Sequence, residues 1–258
     1  MAGTFTHLAI ADKLYDTLGI ATVKNYPLFL GGNIAPDAAH SKKNYQRADK
    51  KRTHLSDEVN AYGYGQPEAA KLFKTRINEF IQKYYLPATE YKDLYLGYIV
   101  HLLTDKIYLF SVYKQLEDIF IANGANADEP DFQRKVFDEV IDGWHEPIRP
   151  IGSIGIDYRK FFEDDVEKGD LAMKQYKFKH NTISALEFVW DYEIADYLSP
   201  DELNDNKRWT INTYLKNEST QNESLTDEDY KKYLNLLETA TTTVIACLSG
   251  KMDIMKII

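Results

Sequence analysis

Leu94-Tyr-Leu-Gly-Tyr-Ile-Val-His-Leu-Leu-Thr-Asp-Lys-Ile-Tyr-Leu109 is the stretch on which the reading of the fold turns. Leu94, Tyr98, His101, Leu102, Asp105 and Leu109 recur at helical spacing, and the pattern runs from about residue 90 to 121, which predicts a central helix. His101 and Asp105 lie four residues apart, so an imidazole and a carboxylate leave one helix face one turn apart and can grip the same ion. An unpaired carboxylate in an apolar helix is costly, and Lys106 next to it is expected to face elsewhere. The expected partner is a metal ion or a distant Arg or Lys; a His–Asp hydrogen bond in a dry core is the alternative.

Outward from this segment the helical period persists. Thr6 to Gly19 places Leu8, Ala11, Leu14, Tyr15 and Leu18 at helical spacing, with Gly19 where a helix stops. From Ile20 to Thr53, Pro27, Gly31-Gly32 and Pro36 break the pattern, so this part reads as mostly loop with short helical pieces, and a loop that long is usually functional. Further helices are predicted at about 67–85, 129–143, 158–179, 182–198, 200–216 and 226–248. Ser199-Pro200-Asp-Glu puts Pro at a first helical position, and Thr226-Asp-Glu-Asp reads as an N-cap with an acidic first turn. No alternating Val/Ile/Thr segment argues for a sheet. The expectation is an all-α multi-helix bundle, one domain over residues 1–258, since no stretch reads as a linker.

Composition narrows the chemistry. Hydrophobic residues make up 44% and aromatic residues 13% of the chain, enough for a core. The one cysteine, Cys247, excludes an internal disulfide and a cysteine-built metal site, so any metal must be held by His and carboxylates. With 40 acidic against 31 basic residues the net charge is −9, which argues against stable nucleic-acid binding and favours a small or locally steered substrate. Met1-Ala-Gly-Thr-Phe-Thr-His7 has no basic leader ahead of an apolar run, and no stretch of about 18 apolar residues occurs, so no membrane span and a cytoplasmic location are expected. The oligomeric state stays open.

The six histidines are His7, His40, His54, His101, His145 and His180. Gly32-Asn-Ile-Ala-Pro-Asp37 is a turn presenting an acid from apolar surroundings, and Lys51-Arg-Thr-His54 ends the basic stretch that follows. Singly, Asp37 reads as a turn or cap residue and His54 as a surface histidine. Their combination with His101 and Asp105 carries more. The ordered set Thr6-His7-Leu-Ala-Ile-Ala, Gly32 to Asp37, His54 and Leu96-Gly-Tyr-Ile-Val-His101-Leu-Leu-Thr-Asp105, with intervals of 30, 17, 47 and 4 residues, resembles the bacterial zinc-dependent phospholipase C family, related in fold to the secreted zinc nucleases that cut single strands. The resemblance covers roughly the first 110 residues.

The resemblance implies one metal held by Asp37, His54, His101 and Asp105, with Asp105 bridging to a second metal that also binds His7. It further implies that the N-terminal amine and its own carbonyl are the ligands that complete the coordination of the second metal; removal of Met1 would make Ala2 that terminus. These ligand types suit Zn2+, with iron or manganese as alternatives. Lys106 to Val112 contains no His, and the positions four residues after His145 and His180 are Arg149 and Ser184, so two ions are expected rather than three.

Two zinc ions about 3.5–4 Å apart can share a water and clamp phosphate oxygens. Asp37 would orient or deprotonate that water, and His145, in Trp144-His-Glu-Pro147, would act as acid for the leaving group. His40, three residues after Asp37, is a further candidate substrate contact, and His180 reads as a surface or helix-start residue. Ser41 to Arg52 carries six basic residues against one acid, and Lys43 and Arg52 from it are candidates for holding phosphate, against the alternative of a solvated charged loop. The expected activity is a zinc-dependent phosphoester hydrolase of phospholipase C type, acting on a small phosphoester or phospholipid. The alternatives are a nuclease-like phosphodiesterase and a non-catalytic helical metal-binding scaffold. Ferritin-like di-iron chemistry is disfavoured because no Glu-x-x-His pair occurs.

Overall fold

The computed structural model describes residues 4–57, 67–132, 135–136, 171–188, 192–194, 196–216 and 227–249. Among them the architecture is all-α. Helix α1 spans Thr4–Leu18, α2 Tyr26–Ile34 and α3 Arg47–Thr53, with a 3-10 turn over Ala35–Ser41 between the last two. Helix α4 (Pro67–Phe80) runs into a π-helical turn at Ile81–Tyr85, and α5 is the long Lys92–Ala122 helix. Helix α6 covers Leu171–Phe188, α7 Pro200–Thr210 with a π-helical turn at Ile211–Leu215, and α8 Asp227–Leu248. The described residues contain no strand, only an isolated bridge between Ile194 and Leu198. None of the described helices is long and apolar enough to cross a membrane.

The centre of the fold is the crossing of α2 and α5. A Cβ on Gly32 would lie 1.9 Å from the Leu94 carbonyl oxygen, and one on Gly97 would lie 2.0 Å from that of Phe29. The two backbones therefore touch at these glycines, an approach any side chain would block. Around this contact Phe29, Leu30, Leu94, Tyr98 and Leu102 are buried, together with Leu8, Ala11 and Leu14 of α1. Each of the buried Leu and Phe side chains contributes about 1.5–3 kcal/mol through burial.

The region read as mostly loop, residues 20–53, is mostly helical. Pro27 sits in the first turn of α2, where its missing N–H costs nothing, and Asn25 caps that helix by accepting from the Leu28 N–H at 3.1 Å. The Asn25 N–H donates in turn to Asp93 Oδ2 at 2.6 Å, tying the start of α2 to the start of α5. Gly31-Gly32 does not break the helix, because packing against α5 outweighs the poor helix propensity of glycine. Pro36 likewise opens the 3-10 turn.

The break placed between 179 and 182 is absent: Leu171–Phe188 is one helix, with His180 exposed in its body rather than at its start. The parts of the expected helices at 137–143 and 158–170 lie outside the described residues. Ser199 caps α7 as its spacing implies, its N–H bonded to Glu202 Oε2 at 2.8 Å. From α7, buried Asn206 donates to the Ile34 carbonyl at 2.9 Å and so holds the end of α2 where the chain turns toward Asp37.

Between α1 and α2, Tyr26 donates its hydroxyl to Asp12 Oδ1 at 2.7 Å. Burial pushes the Asp12 carboxyl up to about 6, against the lowering effect of the Tyr26 hydrogen bond and helped by the charge of Asp16. The folded protein thus binds this proton more tightly than the unfolded chain. Stability present below the ordinary carboxylate value is lost as pH rises toward 6 and stays lost above it. Asp12→Asn, which keeps the acceptor oxygen, is expected to stabilise the fold by about 1–2 kcal/mol at about pH 8 and to be nearly neutral at about pH 4. Urea unfolding at both pH values checks this; an equal effect at both would remove the explanation.

Candidate metal centre

Four separate parts of the chain converge on one buried cluster. His7 comes from the first turns of α1, Asp37 from the 3-10 turn, His54 from the residue that ends α3, and His101 and Asp105 from successive turns of α5. Asp105 is at the middle. Its Oδ1 lies 3.3 Å from His7 Nε2, and its Oδ2 lies 3.5 Å from His54 Nε2 and 3.8 Å from His101 Nε2. Asp37 Oδ1 lies 3.5 Å from His54 Nε2. The rings of His7 and His101 stack at 3.7 Å, within 6° of parallel.

Local structure explains the convergence. The glycine contact between α2 and α5 brings the Asn33 carbonyl to 2.7 Å from His101 Nδ1. His54 Nδ1 lies 2.9 Å from the Lys50 carbonyl, one helical turn earlier in α3. The Thr53 hydroxyl donates to the Pro36 carbonyl at 2.8 Å, joining the end of α3 to the turn that carries Asp37. The buried Tyr98 hydroxyl donates to the Thr53 carbonyl and locks α3 onto α5.

These contacts fix the tautomers. A carbonyl can only accept, so Nδ1 carries the proton in both His54 and His101, and each Nε2 then presents a lone pair. The two Nε2 atoms face each other at 3.2 Å, with two carboxylates beside them. Two lone pairs and two anions at that range repel unless a cation lies among them, and orientation of ligand imidazoles by carbonyls is the usual outer support of a metal site. His7 Nε2 faces Asp105, and its other nitrogen, Nδ1, is buried without a hydrogen-bonding partner among the described residues. The donor set therefore fits zinc: three imidazoles and two carboxylates, in two groups, His7/His101/Asp105 and Asp37/His54/His101, whose donor atoms lie within 4.8 Å of one another.

The electrostatics agree with that fit. Burial, reinforced by His7, pushes the His101 imidazole down to about 3, so it is neutral and able to donate at neutral pH. Burial would raise Asp105, but the hydrogen bond from His7, and the electrostatic influence of the His7, His101 and His54 imidazoles around it, hold it well below the usual carboxylate range. Asp37 is held low in the same way, burial being outweighed by His54 and by the ammonium of Lys50, 3.0 Å from its Oδ1.

Of the residues expected at the site from sequence, His7, Asp37, His54, His101 and Asp105 are brought together. Ala2 and His145 lie outside the described residues. His40 stands at the edge, its Nδ1 3.1 Å from the Asp37 carbonyl oxygen and its ring 4.9 Å from that of Tyr45. Lys43 is exposed on the turn that follows. Arg52 is not brought to the cluster: it donates to the Asp196 carbonyl, lies over the Tyr197 ring and lines a separate cavity of about 450 Å³. Lys106 does face elsewhere, toward the Phe73 ring. The residues that sequence reading missed are Asn33 and Lys50. Lys50 stands four residues before His54, a helical spacing that becomes meaningful only once residues 47–53 are seen as a helix.

The model of the zinc dependent phospholipase C family matches residues 6–108. No curated protein and no solved structure matches the chain. The matched segment contains all five clustered side chains, and over residues 6–108 this chain carries the resemblance to the zinc-dependent phospholipase C family.

Proposed function

We propose that this protein is a dinuclear zinc-dependent phosphoester hydrolase of phospholipase C type. The observation that carries the reading is the pair of imidazole lone pairs facing each other at 3.2 Å among two carboxylates, held there by main-chain carbonyls. His101 has one nitrogen to give, so it belongs with Asp37 and His54; His7 and the other oxygen of Asp105 form the second group, which Ala2 completes. Zinc, when bound, supplies Lewis-acid polarisation of phosphoryl oxygens and activates water at neutral pH. Asp37, on the more open edge of the cluster, orients that water and accepts its proton on a carboxylate oxygen. Asp105 holds the two groups in register. His145 protonates the leaving alcohol, while His40, beside the Asp37 carbonyl, and Lys43 serve as substrate contacts. A phospholipid or another phosphodiester is the substrate class the resemblance supports, and the cytoplasm is the proposed location of a single-domain chain.

Metal analysis of the full chain is expected to find two zinc ions. Zinc at about a hundredfold excess over its Kd is expected to stabilise the fold by about 3 kcal/mol. Hydrolysis of a panel of chromogenic phosphodiesters and short-chain phospholipids should be lost with a chelator and return with zinc. Bound zinc without turnover of any ester would favour the scaffold reading; cleavage of single-stranded DNA alone would favour the nuclease reading, which the net charge of −9 argues against. Two extra residues ahead of Ala2 are expected to halve the zinc content; unchanged content would remove Ala2 as a ligand.

A further inference from the structure

Lys50 meets the metal centre twice, and only one of the contacts is needed to build it. Its carbonyl fixes His54 at 2.9 Å, a main-chain contact that any residue there would make. Its ammonium reaches Asp37 Oδ1 at 3.0 Å, the same oxygen that lies 3.5 Å from His54 Nε2. The Lys50 and Asp37 side chains keep 18% and 16% of their surface exposed, whereas those of His7, His101 and Asp105 keep 1%, 0% and 9%. The Lys50–Asp37 edge is therefore the side of the cluster from which a substrate can arrive.

An ammonium this close to a metal-binding oxygen needs a reason. It competes with the metal ion for the carboxylate lone pairs, and two cations at such range repel unless an anion lies between them. The Asp37 carboxylate is one such anion, and its single contacted oxygen leaves the other two ammonium donors for a second, an arriving phosphoryl group. The lysine head is a compact point charge with three donors on a flexible stem, suited to a phosphate oxygen and able to turn from Asp37 to a ligand a short way off. We propose that Lys50 is a substrate-binding residue whose ammonium takes a non-bridging phosphoryl oxygen, adding a third cationic group beside the two metal ions and favouring phosphoryl groups of higher negative charge. This rests on the metal-centre reading above.

The test uses zinc-loaded full chain, Lys50→Met, which keeps the carbonyl and the apolar stem, and Lys50→Arg. The probes are inorganic phosphate, followed by calorimetry, and a chromogenic phosphodiester. In Lys50→Met the zinc content is expected to equal that of wild type, with zinc bound as tightly or more tightly. The Kd for phosphate is expected to rise at least about tenfold, as for loss of a charge-assisted hydrogen bond. KM for the monoanionic diester should rise by a smaller factor, and Lys50→Arg should recover most of the phosphate affinity. A phosphate Kd within about twofold of wild type would overturn the proposal. Loss of zinc from Lys50→Met would overturn it too, since the ammonium would then serve only to hold Asp37. Failure of the wild type to take up zinc is a separate result, one that brings down the metal reading itself and this inference with it.

Discussion

Asp105→Asn is expected to remove the second zinc ion, weaken the first and lower hydrolysis at least about a hundredfold, more than is typical for loss of an outer-shell partner. The two oxygens of Asp105 face different imidazoles, Oδ1 toward His7 at 3.3 Å and Oδ2 toward His54 and His101 at 3.5 and 3.8 Å. An amide has the same shape but no charge, and it must aim a pair of N–H donors at one of these groups. Neither orientation leaves both sides with a negative ligand. Because the substitution is isosteric, helix content should be unchanged, so metal analysis and activity can be read without a folding defect. Full zinc content with full activity would show that this carboxylate does not bridge.

Gly97→Ala should, like Gly32→Ala, be among the most destabilising single-methyl additions in the described core. The new Cβ would sit 2.0 Å from the Phe29 carbonyl oxygen and 2.8 Å from the Asn33 nitrogen, both main-chain atoms within α2 that cannot swing aside. The helices must separate, at a cost of about 3 kcal/mol or more, at the upper end of overpacking effects. Separation would also pull the Asn33 carbonyl from His101 and loosen the tautomer lock, so zinc affinity should fall with stability. Gly124→Ala is the natural control: it has a φ of +90° and nothing within 4 Å of a new Cβ, so only backbone strain of about 1 kcal/mol applies. Urea unfolding of both variants checks the contrast, and equal losses would mean that the close crossing of α2 and α5 is not what Gly97 serves.

Comparison of particular elements shows what local pattern can carry. The period around His101 is strong because α5 buries most of the run from Asp93 to Ile107, and its predicted span, about 90 to 121, agrees with Lys92–Ala122. Residues 20–53 misled, because prolines and glycines in that region serve helix starts and a helix contact rather than loops. Whether a glycine breaks a helix or admits a neighbour depends on what lies opposite, here Leu94 and Phe29, some 60 residues away in sequence. Arg52 shows the same limit: its charge was legible, its direction toward Asp196 and Tyr197 was not.

Sequence by itself determined the helical class and the one-turn spacing of His101 and Asp105, because periodicity and residue chemistry are local properties of the chain, while the ordered set of five candidate ligands came from the resemblance to the phospholipase C family. Only the tertiary structure decided that these five side chains meet, which nitrogen of His54 and His101 carries the proton, and that Lys50 rather than Arg52 faces the cluster. Those outcomes depend on carbonyl positions set by the crossing of α2 and α5, and a distance between distant backbones is not written in either segment alone.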